Sequence, residues 1–258
     1  MKRQGEKIAM LTAYDAPNAR AQAEGGVDIL LVGDSVGTNI LGYASEREVT
    51  MADMVHHIAA VRRGAPEAYI VGDLPYASCA TPQLAAQNAK TLRAAGADMV
   101  KFEGALPDVV RAIKAEGIAV CCHLGLEPQN HEEKRLKGKT AADAKALIDN
   151  ARALDAAGMD MLVLELIPEE VARAVTQAVK APTIGIGAGR FTDGQVLVVC
   201  DTLGYTQNNF KHNKRYADHG TTMREAAAAY AHDVHSGAFP AESNAFKMPK
   251  EEREAFGV

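Results

Sequence analysis

The sequence predicts an α/β protein: a single-domain (β/α)8 barrel over about 7–204, followed by a helical and irregular segment over 205–258. Three observations predict it. First, a unit recurs: AEGGVDILLVGD (23–34), AAGADMVKFE (94–103) and AAGMDMLVLE (156–165) each pass through Gly and Asp into an apolar run that ends on an acid. Gly supplies the left-handed residue that stops a helix, and the apolar run suits a parallel strand buried on both faces. Second, strand and helix patterns alternate with no domain-sized change in composition, which implies one parallel sheet. Third, seven or eight such units in roughly 200 residues favour closure over an open doubly wound sheet.

The elements follow in order. KIAMLTAYD (7–15) reads as the first strand and VDILLV (27–32) as the second. AYIVGDLP (68–75), the run ending at 103, IAVCCHLG (118–125), the run ending at 165, PTIGIGAG (182–189) and QVLVV (195–199) supply the rest. Helical stretches lie between them at 16–24, 51–63, 81–95, 106–116, 140–157 and 168–179, with no helix expected before the eighth strand. Thr50, Thr81 before Pro82, and Pro168-Glu169-Glu170 are start signals. An open sheet would carry a Gly-rich phosphate loop after its first strand, and LTAYDAPNA has none. GIGAGR (185–190) has the glycines but no acid at the distance a dinucleotide site needs. It reads as a tight turn or as backbone lining a pocket.

Composition excludes several function classes. A net charge of −5 with no basic face argues against nucleic acid or membrane as a partner. The basic runs KRLKGK (134–139) and KHNKR (211–215) read as solvated loops. No signal peptide follows the N-terminal charges, and no run approaches the roughly 20 apolar residues of a membrane span. Cys79, Cys121, Cys122 and Cys200 have neither scaffold density nor zinc spacing, so they read as buried thiols in a reducing cytoplasm.

The chemistry collects at the C-terminal strand ends, which surround the mouth of such a barrel. The first strand ends in Tyr14 and Asp15, the second in Asp34 and Ser35, the third in Asp73. The fourth carries Lys101 and Glu103, the fifth His123 and the sixth Glu165. One acid would be unremarkable, because helix N-caps favour Asp. Ionisable groups on consecutive strands, inside otherwise apolar runs, point to a catalytic mouth. Asp34, Asp73 and Glu103 are hard oxygen ligands of the kind that suits Mg2+. A single imidazole, His123, argues against zinc. Lys101 and Glu103, two apart, can both face the barrel interior. Among three carboxylates Lys101 is an anion clamp rather than a Schiff-base former. Such a set can hold a 2-oxo acid and stabilise the enolate left when a base, Glu165 or His123, removes the C3 proton. An aldolase, a hydroxymethyltransferase or a lyase would all use it.

At this point the sequence resembles the ketopantoate hydroxymethyltransferase family. The motifs are TAYD, VGDSVG, VTMADM-x-HH, AAVRRGAP, GDLP, ATP, VKFEG, HLGL-x-PQ, LE-x-IP, IGIGAG and TDGQVLV, collinear over roughly 8–205, with VHSGAFP (234–240) echoing the C-terminus. The resemblance implies a barrel of the phosphoenolpyruvate/pyruvate type that uses Mg2+. It implies transfer of a hydroxymethyl group from 5,10-methylenetetrahydrofolate to 2-oxoisovalerate, giving ketopantoate for pantothenate and coenzyme A, in a homo-oligomer, commonly a decamer. Carried over by motif, Asp34 and Asp73 ligate Mg2+ at the substrate and Glu103 supports it. Ser35 and Lys101 hold the carboxylate and oxo groups, His123 binds the substrate's far end, and Glu165 is the base. Three segments depart from the family's wording: 43–50, the charged and slightly shorter 130–140, expected over the mouth, and 208–219.

Two alternatives remain. One is a paralogue acting on another 2-oxo acid, or a carbon–carbon lyase of the phosphoenolpyruvate mutase and isocitrate lyase kind, although 130–140 lacks the cysteine such a lyase would use. The other is a non-catalytic barrel, which would tolerate losses among the strand-end acids. Asp28, Asp98 and Asp160, which open their strands, are expected at the opposite end in a stabilising role. Of His56 and His57, one is expected to pack or cap near the mouth.

Overall fold

The computed structural model describes residues 2–130, 135–206 and 210–257. Eight parallel strands close on themselves in sequence order. They are β1 (Ile8–Thr12), β2 (Ile29–Val32), β3 (Tyr69–Asp73), β4 (Met99–Glu103), β5 (Ala119–Gly125), β6 (Met161–Glu165), β7 (Thr183–Ile186) and β8 (Gly194–Leu197). β8 pairs back onto β1, with Met10 opposite Val196. Helices α1 (Ala16–Glu24), α2 (Met51–Gly64), α3 (Pro82–Ala95), α4 (Pro107–Ala115), α5 (Ala141–Ala157) and α6 (Glu169–Ala178) form the outer ring. β7 runs to β8 through a turn without a helix, as the sequence predicts. α7 (Val199–Thr202), α8 (His219–Ser236) and α9 (Lys250–Phe256) follow the barrel.

The period-2 alternation of each strand sorts the core into two layers. Ile8, Met10, Leu31, Val71, Met99, Cys121, Met161, Val163, Ile184 and Val196 fill the barrel interior. Leu30, Val100, Phe102, Cys122, Leu162 and Leu164 point outward onto Met54, Ile58, Leu92, Ile113 and Leu154 of the helices. Each large aliphatic side chain so buried contributes about 1.5–3 kcal/mol. Cys121 and Cys122 fall in different layers, so they cannot share a ligand, and all four cysteines are free.

Helix starts behave as their residues dictate. Thr50 and Asp53 form a reciprocal capping box on α2, and Thr81 and Thr140 cap α3 and α5. Gly96 and Gly158 end α3 and α5 at φ 119° and 97°, a conformation that costs other residues a Cβ clash. β8 ends at Leu197 rather than 199, because Val199 turns into the short α7. None of α8 is buried. Among the described residues no helix is long and apolar enough to cross a membrane.

Candidate active site

The inward-facing positions at the C-terminal ends of β2 to β6 bring together Asp34, Ser35, Asp73, Lys101, Glu103, His123 and Glu165, all of which line one cavity of about 1000 Å3. Lys101 Nζ donates to both oxygens of Asp73, at 2.9 and 3.0 Å. The backbone N–H of Asp34 donates to Asp73 Oδ2 at 3.1 Å. Gly33 leaves room for Ser35: a Cβ there would come to 3.0 Å from Ser35 Oγ, so the hydroxyl would have to give way. Ser35 Oγ shares a 2.8 Å hydrogen bond with the hydroxyl of buried Tyr14.

His123 lies between two carboxylates. Nε2 is 3.2 Å from Glu165 Oε2 and Nδ1 is 3.5 Å from Glu103 Oε1, neither aligned as a hydrogen bond. Glu165 is the outermost of the four carboxylates, with its side chain 22% exposed against 2% for Glu103. It is followed by Leu166 at φ 48°, a left-handed residue that costs about 1–3 kcal/mol and turns the chain sharply past the mouth.

The electrostatics follow from one ammonium facing three buried carboxylates. Burial, then Asp73, pushes the Asp34 carboxyl up to about 8, with Lys101 and Gln129 opposing. Burial pulls the Lys101 ammonium down, but Asp73, Asp34 and Glu103 outweigh it and hold it above its ordinary value. Burial also lowers His123, and Glu103 and Glu165 overcome it, raising the imidazole to about 9. Asp34, Asp73 and Glu103 offer the hard oxygen donors that a divalent cation such as Mg2+ takes. Among the described residues no three His, Cys, Asp or Glu side chains stand together as a ready metal site.

The rest of the lining is largely apolar. Leu31 and Val163 line the cavity from the inner faces of β2 and β6, and Ile186, Val196 and Leu197 line it from β7 and β8. Phe210, Lys211 and His212 form part of the rim, with Phe210 stacked on His212 at 5.7 Å. The His212 ring sits against Gly187, where a Cβ would lie 3.3 Å from it. Within the GIGAG run Ile186 lines the cavity, while Gly187 and Gly189 stand at φ 61° and 76°, the tight turn that was one of the two readings of its sequence. The rim also carries Arg47, whose guanidinium donates to Tyr76 at 2.6 Å and covers its ring.

Some residues stand elsewhere than the sequence suggests. Asp15 does not join the mouth; its carboxylate caps α1 by accepting from Asn18 N at 2.8 Å. His57 Nδ1 pairs with the Tyr14 carbonyl at 2.7 Å, the capping contact expected of one of the two histidines. Of the 130–140 segment expected over the mouth, 131–134 lie outside the described residues, as do 207–209 of the second divergent segment. Sequence reasoning missed Gln129, which is 7% exposed and bonded to Asp34 and Glu103. The Pro128-Gln129 pair of the HLGL-x-PQ motif was its only signal.

Comparisons with known proteins identify the family. A family model described as ketopantoate hydroxymethyltransferase matches residues 1–242. A 3-methyl-2-oxobutanoate hydroxymethyltransferase of Ignicoccus hospitalis is 48% identical over 244 residues, covering 92% of this chain and 93% of that one. The protein of the same name from Alteromonas mediterranea is 43% identical over 252 residues, covering 95% and 96%. Among solved structures, 2,3-dimethylmalate lyase of the phosphoenolpyruvate mutase/isocitrate lyase superfamily superposes with a TM-score of 0.61 at 16% identity, covering 100% of this chain and 92% of that one. At that identity the likeness is one of fold, and it places the barrel type. With the motifs in register and the match spanning nearly the whole chain, the protein belongs to the ketopantoate hydroxymethyltransferase family.

Proposed function

We propose that the chain transfers a hydroxymethyl group to 2-oxoisovalerate, giving ketopantoate, with Mg2+ at Asp34 and Asp73 and 5,10-methylenetetrahydrofolate as donor. The observation that carries this reading is the mixed lining of one cavity: ionisable side chains at the ends of β2 to β6, and apolar ones from β7 and β8 together with Leu31 and Val163. A short acid with a carboxylate and an oxo group at one end and a branched alkyl group at the other matches both kinds of lining. The cavity of about 1000 Å3 is at the upper end of small-molecule pockets and leaves room for a bulky donor beside a five-carbon acid.

The residues divide the work. Lys101, kept charged by its neighbours, and Ser35, oriented by Tyr14, hold the substrate's anionic end. When bound at Asp34 and Asp73, with Glu103 in support, Mg2+ supplies Lewis-acid charge against the oxygen that becomes enolate. Glu165, exposed enough to meet C3 and steadied by His123, takes the C3 proton. C3 then bonds to the donor's methylene carbon as that carbon's bond to one folate nitrogen breaks; water displaces the second folate nitrogen to give the hydroxyl, and tetrahydrofolate leaves with both nitrogens protonated. Isopropyl contacts with Ile186 and Val196 exclude water from the reacting carbon.

We also infer assembly with further copies of the chain. Met223, Tyr230 and Val234 are exposed along one face of α8, which buries nothing on its own barrel. Light scattering tests this, and a monomer at micromolar concentration overturns it. Free thiols suit the cytoplasm as the working compartment.

The deciding experiment follows loss of the C3 proton of 2-oxoisovalerate in D2O by NMR, beside pyruvate, 2-oxobutyrate and oxaloacetate. We expect Mg2+-dependent exchange fastest with 2-oxoisovalerate, ketopantoate once the folate donor is added, and no exchange with Glu165→Gln. Absence of exchange on every acid would defeat the enolate mechanism; faster exchange on another acid would reassign the substrate.

A further inference from the structure

We infer that Gln129 is a positioning residue whose side chain sets the orientation of the Asp34 carboxylate for the cation; the inference rests on the Mg2+ reading above. Gln129 follows β5, yet it reaches back over three neighbouring strand ends. Its Nε2 donates to Asp34 Oδ2 at 2.7 Å and to the Leu74 carbonyl at 3.2 Å. Its backbone N–H donates to Glu103 Oε2 at 2.9 Å. A carbonyl can only accept, so the Leu74 contact fixes which end of the amide faces Asp34.

The consequence is one of atom assignment. With Asp34 Oδ2 engaged by Gln129, Oδ1 is the oxygen without a hydrogen bond among the described residues. With Glu103 Oε2 engaged by the Gln129 backbone, Oε1 is left facing His123. Among the described residues Gln129 is the side chain that donates to Asp34, and it does so without adding charge. A lysine there would compete with the cation, and a carboxylate would add to a cluster already too negative. A neutral amide holds the ligand while leaving its charge available. Partners of this kind typically change metal affinity or activity about 10–100-fold when removed.

Gln129→Met separates this role from packing, because it keeps the side chain's length and the backbone N–H to Glu103 while removing the amide donors. Isothermal titration with Mg2+ alone should give an affinity at least about tenfold weaker than wild type. The Mg2+ activation constant should shift by the same factor, while kcat at saturating Mg2+ changes much less. Gln129→Asn, one methylene too short to span the gap, should lose affinity in the same way and serves if the Met variant folds poorly. A folded variant that binds Mg2+ within twofold of wild type, with only its melting temperature lowered, overturns the positioning role and leaves a structural one. Wild-type protein that binds no Mg2+ would instead sink the metal reading, and the role of Gln129 with it.

Discussion

Replacing Lys101 with Met removes the ammonium that faces three buried carboxylates and keeps the side chain's reach. Lys101 and Asp73 are paired at 2.9 Å with side chains only 6% and 2% exposed, so solvent screens little of the interaction. Breaking a buried pair by deleting one partner costs about 3–5 kcal/mol, because the other charge is left uncompensated. For a chain of this size each kcal/mol moves the melting temperature by about 2–4 °C, so the variant should melt roughly 6–20 °C below wild type in EDTA. Mg2+ brings two positive charges to the same carboxylates and should narrow the gap. The assay is calorimetry at pH 8 with EDTA and then with Mg2+. An EDTA melt within about 2 °C of wild type would refute the charge balance argued above. Asp73→Ala is the poorer probe of the metal, since it strands the Lys101 ammonium in the same cluster.

Two further outcomes are expected. In the metal-free protein, stability should fall as pH rises from about 4 to 9. The Asp34 carboxyl is raised from 3.8 to about 8, so its contribution is full below 3.8 and is lost as pH rises through 8. The His123 imidazole is raised from 6.5 to about 9, so its contribution is full below 6.5 and is lost through 9. Denaturant titrations in EDTA check the slope, His123→Asn should flatten its upper part, and a flat or rising profile in wild type contradicts both shifts. On the apolar wall, Ile186→Ala should lower kcat/KM for 2-oxoisovalerate by about tenfold or more and for pyruvate by much less. Equal losses on both acids would remove Ile186 from substrate selection.

The strand-end residues were legible because a strand's period of two, anchored by the apolar run behind it, fixes which side chains face inward: Met99, Lys101 and Glu103 alternate with Val100 and Phe102. The Thr50 and Thr81 caps were legible for the same reason, since their geometry is local. Gln129 was not, because its partner Asp34 is 95 residues away and the segment between strand and helix has no period to read. Phe210 and His212 reach the rim through irregular chain, which likewise carries no pattern. Asp15 shows the converse failure: a carboxylate at a strand end and one capping the next helix look alike until the side chain is placed. The π-helical turn at Gly37–Leu41 left no recognisable trace in the sequence.

What distinguishes the mouth is not acidity, because the other end of the barrel is acidic too. Asp28, Asp98, Asp160 and Asp193 precede β2, β4, β6 and β8, and each accepts a backbone N–H from the strand before, at Ala9, Ile70, Val120 and Thr183. This latch recurs on every second strand. Arg62, Lys114 and Lys2 pair with the last three of these acids, which keep side-chain exposures of 40%, 34% and 18%. Such an aspartate is wet and matched by donors, and it ties one strand to the next, which is the stabilising duty of that face. The same residue type at the mouth is dry: burial and Asp73 push the Asp34 carboxyl up to about 8, beside the Lys101 ammonium and a His123 imidazole raised to about 9. A fold with well-matched acids at its base has no structural need for strained ones at its rim. The proposed function gives that strain a use, holding a cation and an anionic oxo acid together, and this makes a perturbed buried cluster rather than acidity the mark of the site.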